Sequence, residues 1–164
     1  MERLLVSSSG FIFTTLVSGT PQLFPVPMRL ANKKVALLKK VVLEIWPLQV
    51  LSDIMSVGAV LLSRPMRIAN VNVAATALAN IDAMYRSPAF VVGVNREFRF
   101  GTAVGFAELF QPIVLDLPEP YMVVQNDLTL VVDGGNGAAA FSATVYYVQK
   151  QVSSEEWVKL AKEY

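Results

Sequence analysis

Alternating apolar and polar residues run through most of the chain and predict β-strands. The longest run covers residues 139–152, where the odd positions from Phe141 to Tyr147 carry Phe, Ala, Val and Tyr and the even positions between them carry Ser, Thr and Tyr. Successive side chains of a strand point to opposite faces, so one face of this strand is expected to be buried. Similar runs predict strands at residues 11–17, 35–46, 57–62, 89–94, 96–100, 112–117, 121–124 and 128–132.

Pro, Gly and Asn residues predict where these strands end. Pro47 is expected to end the strand at 35–46, because proline cannot donate a ladder hydrogen bond. Asn95 predicts a turn, and Pro118-Glu119-Pro120 predicts a break between two short strands. Residues 133–137 predict a hairpin turn, since Gly and Asn accept positive φ. In residues 68–84 strand formers and helix formers mix, and for the second half both structures remain open.

Residues 153–164 predict a short terminal helix. Ser153 can accept a hydrogen bond from the Glu156 backbone N–H, and the Glu156 side chain can reach back to the Ser153 N–H, which makes a capping box. Trp157, Leu160 and Ala161 follow at helical spacing and give the helix one apolar side. A helix this short needs to dock on its own sheet or on a neighbouring subunit, so Trp157 and Leu160 are candidate subunit-contact anchors.

Several short strands separated by turn signals, with one helix at the end, predict an all-β fold. The expected architecture is an antiparallel β-sandwich of jelly-roll type with a short C-terminal helix. The length of 164 residues fits one jelly-roll domain over residues 1–164. Within it, residues 1–28 form N-terminal strands or an arm, and residues 153–164 form the tail helix.

The composition argues against an enzyme. The chain has no Cys and no His, which removes thiolate metal ligands, disulfides and the commonest general base at neutral pH. Carboxylate pairs can hydrolyse glycosides, but the candidates lack a diagnostic spacing: Glu44, Glu97 and Glu108. Three further carboxylates could bind Ca²⁺ at a subunit junction, although solvated loops explain them more simply: Asp116, Glu119 and Asp133. No cofactor and no resident metal are therefore expected.

The chain is 54% hydrophobic and only 16% charged. Charged residues usually make up about 25% of a soluble protein, so much apolar surface has to be hidden. Subunit interfaces can hide it, because obligate interfaces resemble a core cut in half. Residues 4–28 carry no charge, but Gly and Pro interrupt them, so they predict short strands rather than a spanning helix or membrane insertion.

Positive charge is concentrated in the first half of the chain. Between Arg29 and Arg67, only Glu44 and Asp53 oppose seven basic residues: Arg29, Lys33, Lys34, Lys39, Lys40, Arg64 and Arg67. These residues are either a solvated loop and strand edge or a surface that faces the phosphates of a nucleic acid. We call them the basic region.

The end of the chain resembles that of single jelly-roll capsid proteins from small icosahedral viruses. The resemblance is carried by Asp127-Leu128 with its apolar strand, the turn 133–137, the strand 141–152, SSEEW at 153–157, the strand 35–46 ending in LEIW, and Leu115-Asp116-Leu117-Pro118. It implies a structural capsid subunit that self-assembles with copies of itself into a closed shell and is located in the virion. Many relatives bind genomic nucleic acid through a basic N-terminal arm, whereas Arg3 is the only early cation here. If this chain contacts a genome, the basic region is the better candidate.

A second hypothesis is a non-catalytic β-sandwich module that recognises carbohydrate or a protein partner. Such a module would present a row of exposed aromatic side chains. Four tyrosines are candidates for such a row: Tyr85, Tyr121, Tyr146 and Tyr147.

Overall fold

The computed structural model describes residues 2–17, 20–50, 54–63, 89–99, 112–124, 126–134 and 137–163, which form nine strands and one helix. The strands are β1 (Leu5–Ser8), β2 (Ile12–Leu16), β3 (Gln22–Pro27), β4 (Lys34–Val50), β5 (Ile54–Leu62), β6 (Phe90–Arg99), β7 (Ile113–Val123), β8 (Asp127–Gly134) and β9 (Gly137–Gln151). The helix, α1, spans Ser154–Glu163. The ambiguous residues 68–84 lie outside the described residues.

The strands pair antiparallel in two sheets. The first sheet has the order β1-β9-β4-β7, with β2 also paired to β9, and the second has the order β3-β8-β5-β6. β1 and β2 follow each other along β9 and act as one interrupted strand. The first strand therefore pairs with the last, β3 with β8, β4 with β7, and β5 with β6. This nested pairing is the jelly roll, so the fold class predicted from the sequence is confirmed.

Gly10 marks the interruption between β1 and β2. Its φ of 70° lies in the left-handed region, which glycine adopts without steric cost. Next to it, Ser9 is anchored twice on Ala143 of β9: its N–H donates to the Ala143 carbonyl oxygen at 3.0 Å, and its Oγ accepts from the Ala143 N–H at 3.0 Å. The chain can therefore kink at Gly10 and still continue along the same partner strand.

The core lies between the two sheets. Phe141 of the first sheet meets Phe24 of the second, with ring centroids 5.4 Å apart. The largest fully buried side chains in the same cluster are Leu16, Leu38, Leu43, Ile45, Leu61 and Leu128. At the margin, the Tyr121 hydroxyl donates to Ser63 Oγ at 3.2 Å and links the sheets by a polar contact. The buried face that alternation predicts for β9 is thus confirmed.

β4 runs past Pro47 to Val50, so the prediction that Pro47 ends this strand is wrong. β4 pairs with β7 only as far as Leu43, whereas its pairing with β9 continues to Val50. Pro47 therefore lies at an edge within the described part of the sheet, and the register shifts between Pro47 and Gln49. Strand edges and bulges are the places where a sheet accepts proline.

The predicted break at Pro118-Glu119-Pro120 is also absent, because β7 is continuous. The pairing jumps from Asp116 to Tyr121 on β7 while β4 moves only from Lys40 to Leu38. Among the described strands β7 pairs with β4 alone, so these exposed residues bulge outward without interrupting a second ladder there.

The turn predicted at Asn95 is wrong for a related reason. β6 pairs with β5 in one register from Arg99 to Val92, and Asn95 lies opposite Gly58 within that ladder. Pairing along the whole strand overrides the local turn preference of asparagine.

The predicted hairpin at residues 133–137 is wrong because β8 and β9 do not pair. β8 lies between β3 and β5 in the second sheet, and β9 belongs to the first sheet, so their connection crosses from one sheet to the other. Gly134 N–H donates to Asp133 Oδ1 at 2.8 Å where the chain leaves β8. Asp133 itself is buried.

We expect Phe141→Ala to lower the free energy of unfolding by about 3 to 5 kcal/mol, because it removes a fully buried ring from the contact between the sheets. Urea denaturation of dilute protein measures this change. Phe13→Ala is the matched control, because Phe13 is largely exposed, and it should change stability by less than about 0.5 kcal/mol. Equal losses in the two variants would contradict the assignment of Phe141 to the core.

Candidate functional site

The outer face of the first sheet presents large apolar side chains to solvent. One residue in each of four strands packs into the core: Leu5, Ile12, Ile45 and Ile113. The residue that follows each of them in sequence points the opposite way. These residues are Val6, Phe13, Trp46 and Val114, with exposed fractions of 57%, 70%, 36% and 52%. We call these four the outer apolar face.

Aromatic side chains gather at one end of this face. The rings of Phe11 and Trp46 meet edge to face, with centroids 5.8 Å apart. Ala140 of β9 lies between Phe13 and Trp46 in the register and is buried although it points away from the core. The flanking aromatic side chains therefore cover it. Phe11 and Phe13 are absent from the residues predicted from the sequence, although alternation within residues 11–17 already places them together.

Opposite charges flank the other end of the face. Lys40 Nζ lies 3.6 Å from Asp116 Oδ1 and 5.9 Å from the ring centroid of Tyr146. In the register, Val6 lies on the far side of Tyr146 from Lys40. An exposed ion pair of this kind contributes at most about 1 kcal/mol, so its main effect is on the charge pattern of the surface.

The structure divides the basic region. Arg29, Lys33 and Lys34 lie just before and at the start of β4, at one end of the sandwich. Lys40 lies about 20 Å further along the strand, at about 3.3 Å per residue, and is paired with Asp116. Lys39 is exposed at the adjacent register shift. Arg64 and Arg67 lie outside the described residues.

Lys150, which the sequence did not single out, joins the end of the sandwich that carries Lys34. It is exposed on β9, and its register partner is Val35, the residue after Lys34. Its proximity depends on pairing between strands that are far apart in sequence. The charge pattern along the chain therefore gives no signal for it.

A tight turn positions the lysines that precede β4. Lys34 N–H donates to the Ala31 carbonyl oxygen at 3.1 Å, and Lys33 has a φ of 58°, in the left-handed region. The Lys33 carbonyl oxygen accepts from Val152 N–H at 3.1 Å, which ties the turn to the end of β9. Gln149 Nε2 donates to the Arg29 carbonyl oxygen at 2.6 Å. The backbone of this basic turn is therefore held in place on both sides.

Helix α1 packs beside this turn. Glu156 N–H donates to Ser153 Oγ at 3.2 Å, which confirms the predicted N-cap; the reciprocal bond of the capping box does not form among the described residues. Trp157 and Leu160 are half-buried against an apolar cluster of their own chain: Val35, Val124 and Val152. Val158 points outward and is exposed. The predicted anchors thus hold the helix on its own sheet, and their role between subunits stays a prediction.

The tyrosines do not form an exposed row in the described part of the chain. Tyr147 is buried in the core, Tyr121 bonds Ser63, and Tyr146 lies near Lys40, whereas Tyr85 is outside the described residues.

The acidic residues are dispersed as well. Asp116 and Glu119 lie on β7 in the first sheet, whereas Asp133 is buried in the second. Across the described ranges no three acidic side chains come together as a metal cluster. Of the carboxylates weighed for glycoside hydrolysis, Glu44 is half-buried on β4, Glu108 lies outside the described residues, and the Glu97 side chain is not described.

Helix α1 is too short to cross a bilayer, and the described residues contain no other helix that is long and apolar enough to do so.

Comparison with solved structures finds a similar chain of desmodium yellow mottle tymovirus, with 12% sequence identity and a TM-score of 0.32. The similarity covers 94% of this chain and 93% of that chain. No protein-family model matches the chain, and no curated protein matches it. The jelly-roll assignment therefore depends on the strand order, and the functional interpretation depends on the surfaces described above.

We expect Trp157→Ala to release helix α1 from its sheet, because Trp157 supplies the largest side chain of the contact. The free energy that holds α1 on the sheet should fall by about 2 kcal/mol, which is less than the cost of removing a fully buried aromatic side chain. Amide hydrogen exchange of α1 measures it. Val158→Ala is the matched control, since Val158 is exposed on the same helix, and should leave exchange nearly unchanged. If Trp157→Ala leaves particle formation intact, a role for Trp157 between subunits is contradicted.

Proposed function

We propose that this chain is a non-catalytic structural subunit that assembles with copies of itself into the closed shell of a virion. The outer apolar face carries the proposal. The four apolar side chains share this face with Glu44, Ser142 and Thr144, and exposed apolar patches bordered by polar residues mark protein–protein contacts. The jelly roll and the resemblance of residues 127–157 to capsid proteins support the same function.

The size of the face favours assembly through several contacts. With strands about 4.8 Å apart and a rise of about 3.3 Å per residue, four strands between Ala140 and Tyr146 span about 19 Å by 23 Å, or about 450 Å². A stable pairwise interface buries about 800 Å² on each partner. The face is therefore about half of what an isolated dimer needs. In a closed shell every subunit has several neighbours, and contacts of this size add up.

The charge pattern favours a second copy of this chain as the occupant. The face is apolar at its aromatic end and carries the cation of Lys40 and the anion of Asp116 at the other end. A copy offers both charges and the same exposed apolar side chains, which makes the surface complementary to itself. The low charged share of 16% fits a chain that buries much of its surface in the assembly.

We expect Phe13→Asp to prevent or strongly weaken particle formation. It places a charge at the aromatic end of a contact that excludes water, and losing a hot-spot residue costs about 2 kcal/mol or more per contact, or about thirtyfold in the association constant. Size-exclusion chromatography and negative-stain microscopy measure assembly, and circular dichroism checks that the subunit still folds.

Leu23→Asp is the matched control for this experiment. Leu23 is an exposed apolar residue on β3, and its neighbour Phe24 packs into the core, so Leu23 lies on the outer face of the second sheet. Leu23→Asp should leave particle formation within a few fold of the unmodified chain. Particles that survive Phe13→Asp, or that are lost equally in both variants, would contradict the role of the outer apolar face. A persistent monomer of the unmodified chain would contradict self-assembly itself.

A second candidate function, recognition of carbohydrate, is favoured by the exposed aromatic pair Phe11 and Trp46. Sugars stack on exposed aromatic rings such as these. Binding to a glycan panel that Trp46→Ala abolishes, in a chain that stays monomeric, would favour this function over assembly.

A further inference from the structure

A pocket of about 400 Å³ opens between the basic turn, the end of β7 and helix α1. Its apolar lining comes from Leu30, Ala31, Val124 and Ala161, together with the indole of Trp157. Its polar lining comes from Asn32, Lys33, Lys34 and Asn126. The pocket therefore combines a flat aromatic side chain, two cations and two amides.

We infer that this pocket binds one nucleotide of a single-stranded nucleic acid, with the base against Trp157 and the phosphate near Lys33 and Lys34. Base stacking on an aromatic side chain is worth about 1 to 3 kcal/mol and accepts any base. Lysines beside the aromatic residue supply the sequence-independent attraction to phosphate. Asn32 and Asn126 can donate and accept hydrogen bonds at base edges or sugar hydroxyls.

The dimensions suit a single strand. Ligand pockets in proteins measure about 300 to 1,000 Å³, so about 400 Å³ accommodates one nucleotide. The bases of a duplex are stacked on one another and cannot reach such a pocket. Arg29 and Lys150 are exposed at the same end of the sandwich and give adjacent phosphates of a strand further cations. Glu155 and Glu156 belong to the first turn of α1 but do not line the pocket.

The backbone of Lys33 fixes the position of one of the two lysines at the pocket. Its φ of 58° lies in the left-handed region, which is uncommon for a non-glycine residue. Glycine or asparagine would take this position in the turn more easily. A lysine is held here by the bonds of the turn to Ala31 and Val152, which places Lys33 at the pocket.

The inference rests on the proposed function, which leaves open how a subunit would hold a genome. It does not require a shell, because the pocket is formed within one chain. Binding can therefore be measured on the Phe13→Asp variant as well as on the unmodified chain. Failure to assemble and failure to bind are then separate results.

The test uses the fluorescence of Trp157. The chain has two tryptophans, so Trp46→Phe leaves Trp157 as the only reporter. Titrants are a dT 12-mer, a U 12-mer, a 12-base-pair duplex, the mononucleotides TMP and UMP, and inorganic phosphate. We expect both 12-mers to quench Trp157, and the duplex, the mononucleotides and phosphate to bind at least tenfold more weakly.

Charge-matched variants separate the pocket from general attraction. In the Trp46→Phe chain, Lys33→Gln combined with Lys34→Gln should weaken 12-mer binding at least tenfold. It should also lower the slope of log K against log salt concentration by about 1.4, since each phosphate contact on a single strand contributes about 0.7. Lys39→Gln with Lys159→Gln removes the same charge from exposed sites outside the pocket and should change affinity by less than threefold. Lys33→Gly should weaken binding but leave the urea midpoint unchanged or higher, because it relieves the left-handed strain.

Three results would overturn the inference. The first is that neither 12-mer quenches the fluorescence of Trp157. The second is equal weakening by the pocket pair and by the control pair, which would mean diffuse electrostatic attraction. The third is a mononucleotide that binds as tightly as the 12-mers, which would make the ligand a free nucleotide rather than a strand.

Discussion

β1, β2 and β4 all hydrogen-bond to β9, so the alternation of β9 decides which side chains of the first sheet enter the core. Phe141 and Tyr147 point inward and Ser142 and Tyr146 point outward. A slip of one residue in this register would exchange the two sets, because the side-chain period of a strand is two. The contact between Phe141 and Phe24 holds the register, since no polar side chain could take its place between the sheets. The same register also places Val6, Phe13 and Trp46 of the outer apolar face on the outward side of the sheet.

Much of the fold is predictable because strands and the helix cap are local features. Alternation identifies β9, and Ser153 identifies the start of α1. The errors at Pro47, Asn95 and Pro118–Pro120 have a common physical origin. Proline and asparagine disfavour a strand only where the ladder needs their N–H or where no partner fixes their backbone, and both conditions depend on the neighbouring strands. The hairpin error at residues 133–137 is of the same kind, because a chain reversal does not reveal whether the next strand joins the same sheet.

The candidate surfaces are less predictable than the fold. Seven basic residues form one group along the sequence, but the structure places Lys40 beside Asp116 and leaves Arg29, Lys33 and Lys34 near Lys150. The pocket also unites Lys33 with Trp157, which are far apart in sequence and meet only because β4 pairs with β9. Trp157 thus both packs helix α1 against the sheet and lines the pocket. Sequence patterns indicate residue types, whereas the pairing of distant strands decides which of them meet.

The sheet edges give independent support for the proposed contact on the N-terminal side of the first sheet. β3 is an edge strand and carries Pro25 and Pro27, and β7 carries Pro118 and Pro120. Proline blunts an edge because it offers no N–H to an added strand. The edge formed by β1 and β2 has no proline within residues 2–17, and it carries two of the four residues of the outer apolar face. Pairing groups and apolar side chains are therefore available together at this edge, whereas the β3 and β7 edges carry proline. β6, the remaining edge among the described strands, also lacks proline but belongs to the other sheet. A neighbouring copy that approaches from this side can pair with the backbone of the edge and cover its apolar side chains. The pocket beside α1 is formed by another part of the chain and is independent of that contact.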